Sequence, residues 1–77
     1  MDQTPAHEHH NPELLALMPA DASRVVEVGC SSGALAREYK KINRSCYYVG
    51  VEVVPEYITL AQRYCDKVFE FDASEAT

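Results

Sequence analysis

Apolar and polar positions change period repeatedly along this chain, from helical spacing to continuous β-branched runs and back. Residues 1–10 are polar and aperiodic, which predicts a mobile tail. Asn11-Pro12 then reads as a helix N-cap followed by proline in the first helical position. Leu14, Leu15, Leu17 and Met18 give that short helix an apolar face, and Pro19 ends it. Arg24 to Val28 is a β-branched run of the kind found in a parallel strand covered on both faces. A second helix starts at Ser32 or Gly33 and runs to about Lys41, with Leu35, Ala36 and Tyr39 facing inward. Asn43 suits a left-handed helix exit. A second strand covers about Cys46 to Val51. Pro55 opens a third helix that reaches about Tyr64, with Tyr57, Ile58, Leu60 and Ala61 as its core stripe. A last strand spans about Lys67 to Phe71. The aromatic residues Tyr47, Tyr48, Tyr57, Tyr64, Phe69 and Phe71 sit at strand and helical spacings, which predicts core positions over a base-stacking platform.

Strands alternating with helices of about ten residues indicate βαβ units, a parallel sheet and right-handed crossovers. The fold class is therefore α/β and Rossmann-like. The sequence holds no internal repeat and no low-complexity tract. At 77 residues it has material for one small domain with a thin core.

Candidate chemistry gathers where the first strand meets the second helix, in Glu27-Val28-Gly29-Cys30-Ser31-Ser32-Gly33. Gly29 can take backbone angles closed to other residues, and Gly33 lets the helix pack close to the strand. Backbone amides at that helix start form a site for a polar or anionic ligand. Ser31-Ser32 also suits an N-cap, and the two roles can coexist. The second strand ends in Glu52. It follows Gly29 at close to the roughly 20-residue separation at which nucleotide-binding folds place a carboxylate on ribose hydroxyls.

Composition narrows the partners. The net charge is −5, and the basic residues are scattered apart from Lys40, Lys41 and Arg44 after the second helix, which argues against nucleic acid. Such a cluster offsets the dipole at a helix C-terminus. The three cysteines have neither C-x-x-C nor zinc spacing, which fits a reducing cytoplasm better than a secreted disulfide scaffold. No apolar run approaches the ~18 residues of a membrane span, and no signal-peptide layout is present. His7-Glu8-His9-His10 lacks the H-E-x-x-H register, and no metal site is expected.

The turn and the acid after it resemble motif I and the following acidic position of class I S-adenosylmethionine-dependent methyltransferases. That pattern is acid-x-Gly-x-Gly-x-Gly; Glu27, Gly29 and Gly33 match it, and Ser31 replaces the middle glycine. The rival dinucleotide pattern G-x-G-x-x-G meets only Gly29 and an accepted Ala34. The resemblance runs from about Asn11 to Asp72. It implies S-adenosyl-L-methionine as cofactor, with Glu27 near the methionine amino group and Cys30 and Ser31 lining the methionine side. Glu52 would meet the ribose hydroxyls, Val53 and Val54 the adenine edge, Asp72 the exocyclic amine, and the Ala73 amide a ring nitrogen. Glu27 sits among valines, where an ionised carboxylate needs a partner; the alternative is an acid pointing outward at a sheet edge. Cys30 has no histidine placed to activate it and reads as a wall, not a nucleophile.

By the same resemblance the strand order is 3-2-1, with the first strand interior in a fold about twice this length. The chain then corresponds to the amino-terminal half of a methyltransferase domain over residues 11–77, with acceptor-selecting and catalytic residues expected after Thr77. Val25, Val26 and Val28 would present an unpaired edge prone to self-association. A non-catalytic S-adenosylmethionine- or nucleotide-binding module and an NAD-binding fragment of an oxidoreductase remain the alternative readings.

Overall fold

A computed structural model describes residues 9–71. The Asn11 side chain accepts from the Glu13 and Leu14 amides at 3.0 and 3.1 Å, and Pro12 opens the helix α1, Pro12–Leu17. The remaining elements are β1 (Arg24–Val28), α2 (Ala34–Ile42), β2 (Tyr47–Glu52), α3 (Pro55–Ala61) and β3 (Lys67–Glu70). Helix α3 ends at Ala61, short of the Tyr64 expected from the sequence. The chain continues from Ala61 through tight turns, with the Arg63 amide donating to Leu60 O and the Cys65 amide to Ala61 O.

The three strands form one parallel sheet in the order β1-β2-β3, with β2 in the middle. The 3-2-1 order expected for a Rossmann-like sheet is therefore present, and β1 is an edge strand among the described residues. Register pairs Val25 with Tyr48 and Glu27 with Gly50. Val49 pairs with Lys67 and Glu52 with Glu70.

Both crossovers step the same way across the sheet, so right-handed connections put α2 and α3 on one face. Tyr39, Tyr48, Ala36, Ala61, Cys30, Cys46 and Cys65 make the core there. The Tyr39 and Tyr48 rings lie 6.2 Å apart between centroids. Helix α1 packs on α2, with Leu15 and Met18 against this core and Leu17 facing solvent.

The opposite face is uncovered among the described residues, which corrects the expectation for β1. Val25 is half-buried, but Val26 is 60% exposed and Val28 81%. The run is apolar on both faces, yet helices cover only one. For the same reason Tyr47, Phe69 and Phe71 are exposed aromatics instead of core. Tyr47 and Phe69, with Val26, Val49, Val51, Arg24 and Lys67, border a shallow groove on the open face.

Two further differences are local. Asn43 leaves α2 at φ −137°, outside the left-handed region, because its side chain has another task. Its amide nitrogen donates to Ala22 O at 2.8 Å and to the Tyr39 hydroxyl at 3.1 Å, and that hydroxyl donates to Pro19 O. Helix α2 is capped by Gly33 with no side-chain bond, so the Ser31-Ser32 cap is not formed. Lys40 and Lys41 occupy its last turn, as their sequence position suggests. Lys40 Nζ reaches Cys46 O at 2.7 Å and Asp66 Oδ2 at 2.5 Å. Among the described residues no helix is long and apolar enough to cross a membrane.

Candidate functional site

The carboxyl ends of β1 and β2 meet at the turn 29–33. Gly29 and Cys30 both donate their amides to Val51 O, at 2.7 and 3.1 Å, so the turn is stitched to the neighbouring strand. Three alternate residues are left-handed: Gly29 at φ 75°, Ser31 at φ 54° and Gly33 at φ 85°. A side chain at Gly29 would meet open space, so its dihedral alone calls for glycine there. Gly33 answers to two demands, since an added Cβ would stand 3.0 Å from Ala61 Cα. The close approach is thus to α3 and not to the strand, as the sequence suggested. Ser31 holds the middle left-handed position with a side chain in place, at a steric penalty glycine would avoid.

Glu52 closes this turn from β2. It is 8% exposed. Its Oε1 accepts the Ser31 amide at 2.6 Å, and its Oε2 accepts the Val53 and Val54 amides at 3.1 Å each. The anion that the turn's amides call for is therefore supplied from within the chain. A carboxylate offers about four acceptor positions, and these amides fill three of them.

Glu27 has a partner that its valine neighbours did not announce. The Tyr48 hydroxyl donates to Glu27 Oε1 at 2.7 Å. Register explains it: Tyr48 pairs with Val25 on the helix-covered face, and Glu27 lies two residues on, opposite the side-chain-free Gly50. Burial raises the Glu27 carboxyl above its ordinary range; the Tyr48 bond opposes that shift, and the charge of Glu52 adds to it. Burial and the same contact push the Tyr48 hydroxyl up. Tyr48 is the residue that strand-by-strand reading missed, because a cross-strand pair is visible only once register is known.

Glu27, Gly29, Cys30 and Ser31 line one cavity of about 180 Å³. His9, His10, Asn11 and Leu14 form its other wall, so the approach to α1 belongs to the site. Gly33 lies outside this cavity and acts through packing. Val53 is exposed just past β2. Asp72 and Ala73, assigned to the adenine by resemblance, lie outside the described residues, as does His7. No group of His, Cys, Asp and Glu that could hold a metal ion occurs among the described residues. No protein-family model matches the chain, and none of the curated proteins matches it.

Proposed function

We propose that this chain is the S-adenosyl-L-methionine-binding portion of a class I methyltransferase, which transfers methyl to an acceptor when complete. One observation carries the reading. The turn after β1 is left-handed at 29, 31 and 33, the three glycine positions of the resembled motif, and it opens on a cavity at the carboxyl ends of parallel strands.

The cavity would take the amino-acid end of that cofactor, not the whole molecule. It is smaller than the roughly 300–1,000 Å³ of sites that enclose a whole small molecule. Glu27, half-buried and held by Tyr48, would meet the cofactor's ammonium group. Gly29 leaves open space over the turn, and Ser31 presents its side to the same cavity. Glu52 would take a ribose hydroxyl on its remaining acceptor position, and Val53 would offer apolar surface beside it. When bound, the cofactor supplies a methyl already activated by its sulfonium, so the residues of this chain have to hold and orient it.

Isothermal titration of the chain, with circular dichroism to confirm its folded state, tests the proposal. S-adenosylhomocysteine should bind, and NAD should bind far more weakly. Comparable NAD affinity would overturn the methyltransferase reading in favour of a dinucleotide-binding fragment.

A further inference from the structure

Three cysteines are buried and unbridged, yet their surroundings differ. Cys30 opens the turn after β1, and Cys65 precedes β3. Both press on the bare Cα of Gly50 in the middle strand. A Cβ built there would lie 2.6 Å from Cys30 Sγ and 3.1 Å from Cys65 Sγ. The missing side chain leaves a gap in which the two sulfurs meet. The Cys30 thiol also reaches Ser31 O at 3.7 Å. Cys30 also borders the cavity of about 180 Å³.

Cys46 serves as an internal comparison. It is equally buried, but it sits before the amino end of β2, four residues from Gly50. At ~3.3 Å per strand residue that is about 13 Å from the point where the other two sulfurs converge. Isolated buried cysteines act as small hydrophobes. A contacting pair with one member on a cavity has a further chemistry open to it.

We propose that Cys30 and Cys65 form an oxidisable dithiol whose substrate is hydrogen peroxide. Cys30 attacks one peroxide oxygen; an S–O bond forms, the O–O bond breaks, and the expelled oxygen leaves as water after taking a proton. The Cys65 sulfur then attacks the Cys30 sulfenic acid. The S–S bond forms, the S–O bond breaks, and the departing hydroxide takes the Cys65 proton as a second water. Two thiols lose two electrons, and one peroxide becomes two waters. Cys30 takes the attacking role because it, and not Cys65, borders the cavity. The product would staple the turn 29–33 to the connection between α3 and β3, independently of any cofactor.

The test treats the reduced chain with hydrogen peroxide, alkylates remaining thiols in denaturant and maps the peptides by mass. The expected product is a Cys30–Cys65 cross-link with Cys46 alkylated, reversed by dithiothreitol. In guanidinium the same oxidation should favour pairings with Cys46, because those loops are shorter. Cys46→Ser should still cross-link, and Cys65→Ser should stop at a Cys30 sulfenic acid that dimedone captures. An identical mixture of pairings with and without denaturant would overturn the proposal. So would native oxidation that consumes Cys46 and leaves Cys30 and Cys65 alkylated.

Discussion

Ser31 and Glu52 are 21 positions apart in sequence, and the Ser31 amide donates to Glu52 Oε1 at 2.6 Å. Through this bond the turn after β1 and the end of β2 behave as one unit. The acid that resemblance assigns to a ligand already has work within the fold.

Glu52→Ala should therefore act twice. Leaving the Ser31, Val53 and Val54 amides without their acceptor should lower unfolding stability by about 1.5–3 kcal/mol, the range for hydrogen bonds to a charged group. Affinity for S-adenosylhomocysteine should fall by about the same range. Urea melts and titration calorimetry separate the two effects, and unchanged stability would mean that the carboxylate does not hold the turn.

Glu27 sets the sign of one pH response. Its folded-state carboxyl is raised, so the native chain holds that proton more tightly than the unfolded chain. The associated stability is complete below the ordinary carboxylate range and is lost as pH rises through the raised folded value. Tyr48→Phe removes the donor that opposes the shift and should extend the loss to higher pH, whereas Glu27→Gln should flatten it. Denaturant midpoints measured from acid to neutral pH check this; a Glu27-dependent rise in stability over that window would contradict it.

Gly50→Ala should destabilise the chain by about 1–3 kcal/mol, as small-to-large changes in packed cores do. The added methyl would stand 2.6 Å from Cys30 Sγ. Combining it with Cys30→Ala should recover much of that loss, and a double-mutant cycle would read the coupling directly. Additive effects would show that the sulfur is not the obstacle.

Ser31→Gly should relieve the left-handed strain at φ 54° and restore the glycine of the resembled motif. Relief worth about 1 kcal/mol is offset in part by the greater backbone entropy of glycine. The expected net change is from zero to about +1 kcal/mol of stability, with tighter S-adenosylhomocysteine binding. A clear destabilisation would mean that the serine side chain supports the turn.

Locally encoded features were legible in the sequence. Asn11-Pro12 marked the start of α1 because a side-chain cap acts within one turn, and β1 was bounded correctly because its β-branched run is short and flanked by breakers. The left-handed turn could be read because glycine marks it. What needed two segments at once was not legible. The Tyr48–Glu27 pair depends on strand register, Gly50 matters through sulfurs 20 and 15 residues away in sequence, and Asn43 is recruited by Ala22 O instead of a helix exit. The uncovered sheet face was hidden for a related reason: Val25-Val26-Glu27-Val28 reads the same whether one helical layer covers it or two.

That open face bears on how the chain responds to temperature. Val26, Val28, Tyr47, Phe69 and Phe71 stay largely hydrated in the native state, so unfolding adds little to their contact with water. The heat-capacity increment of unfolding should therefore fall below the usual ~12–15 cal/mol/K per residue. The stability curve would be correspondingly shallow, changing little on warming or cooling, and the denaturant m-value would be small for the length of the chain.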